Sequence, residues 1–353
     1  MNKNKVYIWY SSATDVTGKK LQDTLGIKGG NKVPDPSFEI IIGWGTKHDS
    51  VVNFPTNTKT LNHPNAIKNN RNKLEALSTL ADNNISVASF TDSDDVLHDL
   101  SNNILSLPIV ARTKYHQGGK GFWVCPTITH VENAINEGAH YFQNMIEIKD
   151  EYRIHVFNDE IIYAVKKIKR TPEEFEEAFI EDEMTRQKKL AEKNNNPFDE
   201  ATALLMLKRQ AKNATAGGAN MMIRSNKMGW KFSRINNIPE NISTEAIKAI
   251  KALNLNFGAV DCCVDAAGKV FIIEVNTGPG LEGTTFDNYV EAFNKFFNTP
   301  KKIEIVDIPK IELNNEAKIL STQLKRLQLA LNNCTNEEEL IAIKKVGSSI
   351  LFG

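Results

Sequence analysis

Residues 257–283 read FGAVDCCVDAAGKVFIIEVNTGPGLEG, two apolar runs joined by the turn Asp265-Ala266-Ala267-Gly268-Lys269. So short a connection makes the two runs an antiparallel hairpin. A carboxylate inside a buried strand is costly unless it is paired or holds a cation, yet Asp261 stands in the first run and Glu274 in the second. Strand side chains alternate with period two, so Glu274 and Asn276 share a face and Asp261 can lie across from them. Two carboxylates and an amide are hard oxygen donors, a set that suits Mg²⁺ still carrying water or phosphate oxygens. The loop that follows, with Gly278, Pro279, Gly280 and Gly283, turns sharply.

The rest of the chain alternates strand and helix, which predicts an α+β protein. KVYIWY and FEIIIGWG read as strands, with a helix between them stopped by Gly26. One helix is expected over residues 61–84, with Leu74, Leu77 and Leu80 on one face, then a short strand at ISV. The polar run TDSDDVLHDLSNN marks a break near residue 100, closing an α/β domain over 1–100. LPIVART and FWVCPT form a hairpin around the glycine loop KYHQGGKG, followed by a helix capped by Thr129 with Glu132 three residues on. EYRIHVF and EIIYAVKKI form a second hairpin. Residues 171–213 read as a helical insertion with seven acids between Glu173 and Glu183. MMIRSN is expected to be a strand. The second domain thus spans 101–300, with a first lobe to about 150 and a second over 151–300. Residues 301–353 form a helical tail, with Ala317, Leu320, Leu324, Leu327 and Leu331 spaced by three and four and a capping box from Thr335 to Glu338.

Charge excludes some partners. Lys+Arg and Asp+Glu are both 43, so no net field points to nucleic acid or a membrane surface. The four cysteines, Cys125, Cys262, Cys263 and Cys334, form no CxxC pair and read as reduced thiols of a cytoplasmic protein. No stretch has the length of apolar residues that a membrane helix needs.

With these motifs in hand, the chain resembles the ATP-grasp ligases, and among them the RimK type that adds glutamate to ribosomal protein. The resemblance is specific over 261–283 and good over 107–167. It implies two α+β lobes gripping ATP, preceded by a small pre-ATP-grasp domain. It also implies a carboxylate–amine ligase that forms carbon–nitrogen bonds through an acyl phosphate. ATP and Mg²⁺ would be the cofactors, with two ions held by Asp261, Glu274 and Asn276, and Mn²⁺ a substitute.

Carried over residue by residue, the resemblance places Arg112 where the family has a lysine, with Lys114 near it, and Gln117, Gly118, Gly119 and Gly121 in the phosphate-covering loop. Gln143, Met145 and Ile146 match the hinge that meets adenine, and Glu151 joins the nucleotide site. Arg153, Lys167, Arg224 and Asn226 match the positions that act on the phosphates. Partners would be a small-molecule carboxylate and amine, or a protein or peptide acceptor, and an oligomer is left open. The acidic start of the insertion points to a cationic amine. Two other readings remain at this point: an ATP-binding module without catalysis, and an ATP-grasp kinase.

Overall fold

The structure, a computed structural model, describes residues 2–48, 52–115, 121–220 and 224–298. The tail read over 301–353 and the loop residues Gln117, Gly118 and Gly119 lie outside the described residues.

The first sheet is built from β1 (Val6–Tyr10), β2 (Lys28–Gly30), β3 (Ile40–Trp44) and β4 (Lys59–Leu61). All pairs are parallel, in the order β2-β1-β3-β4, and helix α1 (Val16–Leu25) lies between the first two strands in sequence. Ile40, Ile41 and Ile42 are all buried, as a parallel strand covered on both faces requires. Gly26 closes α1 in the left-handed conformation at φ 64°, which costs glycine nothing.

The single helix expected over 61–84 is two: α2 (Pro64–Arg71) and α3 (Lys73–Asp82). Asn72 is extended between them and caps the second through its side chain to the Glu75 amide. Asparagine competes with the helix in this way, and propensity alone did not reveal it. No strand forms at ISV; the strand comes later, as β5 (Phe90–Asp92).

After α4 (Val96–Ser101) come β6 (Ile109–Arg112), β7 (Phe122–Cys125), α5 (Ile128–Asn136) and β8 (Tyr141–Asn144). The second sheet is antiparallel, in the order β5-β8-β6-β7. Thus β5 and α4, which the polar run placed before residue 100, belong with this sheet. Thr129 is not the cap of α5. The helix begins one residue earlier, and Thr127 at the cap position turns its hydroxyl to His130 Nδ1 at 2.7 Å instead.

The third sheet holds β9 (Ile148–Phe157), β10 (Glu160–Lys169), β11 (Trp230–Arg234), β12 (Phe257–Asp265) and β13 (Val270–Asn276). Between β10 and β11 rises a helical hairpin, α6 (Pro172–Lys193) and α7 (Glu200–Thr215); α8 (Glu240–Ala252) precedes β12 and α9 (Gly283–Asn298) follows β13. The order is β11-β10-β9-β12-β13, antiparallel throughout. One face, with Ile154, Val156, Val260, Cys262 and Ile272, packs on Ile242, Ala246, Ala249 and Ile250 of α8. The MMIRSN stretch is no strand where it is described: Arg224 and Ser225 are irregular and Asn226–Met228 is a 3₁₀ turn closed by Gly229 at φ 85°.

The parallel sheet is tied to the third sheet at two places. Asn62, at φ 54°, gives and takes hydrogen bonds with Asn256 and Phe257 at 2.8–3.1 Å. The Gly45 amide donates to the Thr277 carbonyl at 3.2 Å, and the backbones of Gly45 and Gly278 touch. A Cβ on Gly278 would lie 2.9 Å from Gly45 Cα, so the loop after β13 can approach only because both residues lack a side chain.

Candidate active site

The second face of the third sheet carries the charges. On β9, Glu151, Arg153 and His155 point the same way, opposite to Tyr152 and Ile154. Asp261 stands opposite Arg153 on one side and Glu274 on the other, so the register puts cation and both acids in a row. Arg153 grips Asp261 with two parallel bonds, Nε to Oδ1 at 2.6 Å and Nη2 to Oδ2 at 2.8 Å, the geometry a planar guanidinium gives best. The Asn276 amide nitrogen lies 3.1 Å from Glu274 Oε1 and 3.4 Å from Asp261 Oδ2. Asp261, Glu274 and Asn276 therefore meet as expected, but through a register shift between the Cys262–Ile272 and Asp261–Glu274 pairs, without which Glu274 would share the core face of Ile272.

Lys167, on β10, donates to Glu151, whose side chain is 8% exposed. Burial pushes the Glu151 carboxyl up, opposed by the Lys167 charge. Burial also raises Asp261, opposed by the Arg153 hydrogen bonds and charge. For Arg153, burial works against the cation, but the bond to Asp261 and the charges of Asp261, Glu274 and Glu151 outweigh it and hold it protonated. The acids thus hold Arg153 charged, while for Glu151 and Asp261 burial outweighs the neighbouring cations and works against ionisation.

The remaining expected residues divide. Arg112, at the end of β6, lies over the Phe122 ring at 5.2 Å and donates a hydrogen bond to Tyr141. Its buried Nε has no partner. Burial pushes Tyr141 up to about 12; the Arg112 charge opposes that and the Glu274 charge adds to it. Tyr141 and Glu274 line one small cavity between the second sheet and the third. Lys114 follows β6, and its carbonyl accepts from the Lys73 amide at 3.1 Å. Gly121, at φ 61°, leaves no room for a Cβ, which would sit 2.6 Å from Thr113 Oγ1. Gln143 is on β8 between Val110 and Phe90, and Met145 and Ile146 form the half-buried link to β9. Arg224 donates to the Ile148 carbonyl and lies 4.6 Å over the Trp230 ring, its buried Nε without a partner. Asn226 is exposed and accepts from Arg170 at 2.5 Å. It is not joined to the carboxylates.

Three residues escaped the sequence reading. Lys73, on α3, places Nζ 3.5 Å from Glu274 Oε2. Asn70, on α2, is 3% exposed and donates to the Val275 carbonyl at 2.8 Å; a buried asparagine on an apolar helix face was the available signal. Phe232, on β11, lies 4.9 Å from the Arg153 guanidinium and 5.5 Å from Lys167 Nζ. Sequence offered no sign that an aromatic ring would sit beside those two cations.

The insertion starts on the other side of the sheet. Lys231 neighbours Phe232 on β11 and so faces the opposite way, and it is Lys231 that pairs with Glu174 of α6. Glu183 is taken by Arg186 within the helix. The first turn of the insertion therefore does not border Arg153.

No family model and no curated protein matches the sequence. Solved structures do. D-alanine–D-alanine ligase from Bacillus anthracis is 11% identical with TM-score 0.51, over 82% of this chain and 92% of that one. The macrocyclase MdnC of Microcystis aeruginosa, bound to its precursor peptide MdnA, is 11% identical with TM-score 0.50, over 83% and 99%. N5-carboxyaminoimidazole synthetase from Staphylococcus aureus, in complex with ADP, is 11% identical with TM-score 0.50, over 83% and 78%. Together with the two antiparallel sheets and the parallel sheet that precedes them, these likenesses establish that the chain has the ATP-grasp fold.

Proposed function

We propose that the chain is an ATP-dependent ligase that activates a carboxylate as an acyl phosphate and joins it to an amine. The observation that carries this reading is the convergence on one sheet face of Asp261, Glu274 and Asn276 with Arg153 and Lys167. It is supported by Arg112, whose partner Tyr141 lines a cavity with Glu274.

The donor set fits magnesium by its chemistry, since all three groups are hard oxygen donors. Asn276 now turns its amide nitrogen to both carboxylates; half a turn of that amide presents its oxygen beside theirs. Asp261, Glu274 and Asn276 would hold the ion, which when bound supplies positive charge to the phosphate oxygens of ATP. Among the described residues no group of three or more His, Cys, Asp or Glu forms a metal cluster, so the amide is a necessary member.

A carboxylate oxygen of the acid attacks the γ-phosphorus as the bond to ADP breaks, and ADP leaves with the electron pair. The amine nitrogen then attacks the acyl carbon, phosphate leaves, and the amine proton passes to water. No protein nucleophile is needed; positioning and fixed charge do the catalysis. Arg153 has Nη1 left after binding Asp261, and Lys167 is steadied by Glu151. These two and Arg224 would take the charge that develops on the transferring group. Gly121 and the loop before it would cover the phosphates. Met145 and Ile146, with Gln143, would meet the adenine. Of the insertion's acids, Glu174 pairs with Lys231 and Glu183 with Arg186, and a cationic amine stays the acceptor that the remaining acids would favour.

The test is ADP release with added carboxylates and hydroxylamine, which traps an acyl phosphate as a hydroxamate. Asp261→Asn and Glu274→Gln should lose ADP release by at least 100-fold while keeping the fold; the size expected is that of losing charge stabilisation in a transition state. Near-normal turnover by either variant at saturating Mg²⁺ would sink the assignment.

A further inference from the structure

β11 is the edge strand of the third sheet. Its side chains on the site face are Trp230, Phe232 and Arg234, alternating with Lys231 and Ser233 on the other. Trp230 is 5% exposed, packed over Arg224. Phe232 is 43% exposed, although it stands in register opposite Lys167 and its ring reaches Arg153. Trp230, on the same face of the same strand, is covered; Phe232 keeps exposed apolar surface on a ring that two cations approach.

Those cations have capacity to spare. Arg153 spends Nε and Nη2 on Asp261, leaving Nη1, and Lys167 spends one of three N–H bonds on Glu151. An anion drawn to both of them arrives next to the ring, since they lie 4.9 and 5.5 Å from its centre. A group bonded to that anion can then reach the exposed part of the Phe232 ring, beside the cations that lie over it. A polar substituent there would lose its water without gaining a partner, whereas an apolar one would cover the ring.

We propose that Phe232 is the specificity wall of the carboxylate subsite, selecting acids in which an alkyl or aryl group adjoins the carboxylate. The carboxylate meets Arg153 and Lys167, and the apolar group lies on the Phe232 ring. This inference rests on the ligase reading and narrows its substrate class.

The experiment compares wild type, Phe232→Ala and Phe232→Leu in hydroxamate formation with ATP, Mg²⁺ and hydroxylamine. Hexanoate and benzoate are set against glycolate, which carries the same charge and no apolar group. The expected result is a wild-type preference for hexanoate and benzoate over glycolate that falls at least tenfold in Phe232→Ala, through the KM for the acid and not that for ATP. Phe232→Leu restores the preference for hexanoate more than for benzoate. An equal loss for all three acids, or a change confined to the KM for ATP, overturns the proposal. If wild type activates no acid, the ligase reading fails by itself, and the wall is decided by saturation-transfer NMR of hexanoate and benzoate with ADP and Mg²⁺ present. Binding to wild type that is lost in Phe232→Ala upholds the wall; absent or unchanged binding overturns it.

Discussion

The two faces of the third sheet are made by the same strands and obey opposite rules. On β9, Ile154 and Val156 are fully buried against α8, while Arg153 and His155, their immediate neighbours, face the site. On β12, Val260 and Cys262 belong to the core, and Asp261 between them is held by Arg153. The apolar face draws its stability from area removed from water, roughly 25 cal/mol per Å². The other face is divided: Phe157 and Phe257 bury apolar area against Tyr289 and Phe293 of α9, while its buried charged groups persist because they are matched to partners. Deleting a side chain therefore has a different meaning on each face: a cavity on one, an unmatched charge on the other.

The strongest way to break this comparison is Arg153→Ala. It leaves Asp261 buried without its cation and beside Glu274, so stability should fall by about 3–5 kcal/mol, and ADP release should be lost with it. Urea unfolding checks the first and turnover the second. A loss below about 1 kcal/mol would mean that the site face does not depend on its ion pairs.

Next in size is Ile154→Ala, one residue away and on the other face. Cavity formation should cost about 2–5 kcal/mol, with nucleotide affinity in the folded fraction unchanged. Calorimetric titration with ADP checks the second point; a weaker affinity would show that the two faces are coupled.

His155 sharpens the comparison through pH. It lies on the site face among aromatic rings, its Nδ1 3.2 Å from the buried Tyr289 hydroxyl and its ring against Tyr163. Burial, and then the Arg153 charge, lowers it from 6.5 to about 3. The unfolded chain then binds a proton that the folded chain refuses between those values. The stabilising contribution is full above pH 6.5 and is lost as pH falls, at up to about 1.4 kcal/mol per pH unit. His155→Phe should flatten that part of the curve, measured as unfolding free energy from pH 7 to pH 4. An unchanged slope would contradict the burial of a neutral imidazole.

The smallest effect belongs to the insertion, where charge is solvated. Glu183→Gln breaks the pair with Arg186, two side chains three residues apart on α6, and should change stability by about 0.5 kcal/mol or less. A loss of 2 kcal/mol would show that the insertion is bound more tightly to the body than its exposed acids suggest.

Where the sequence reading succeeded, the code was local. The hairpin β12–β13 announced itself by two acids inside apolar runs, and period two put Glu274 and Asn276 on one face. A register shift between the Cys262–Ile272 and Asp261–Glu274 pairs, which spacing did not announce, set Asp261 opposite Glu274. Hairpin β9–β10, the stop of α1 at Gly26 and the two helices of the insertion were legible for the same reason. The misreadings were also local but were decided by competition. Asn72 ended a helix that periodicity continued, and Thr127 stood where Thr129 was expected, its hydroxyl drawn off by His130.

By itself, then, the amino-acid order determined which acids stand among apolar neighbours and which residues share a face along an unbroken strand, because regular strand geometry converts spacing into direction. In β13 the register shift that turns Glu274 away from the face of Ile272 was decided by pairing. Tertiary structure alone decided that Lys73 of α3 would stand at Glu274, that Tyr141 would lie between Arg112 and Glu274, and that Phe232 would lie beside Arg153. It also decided that Glu174 would meet Lys231 on the far face. Those contacts join elements distant along the chain, and their positions follow from how sheets and helices pack, which no spacing within one element encodes.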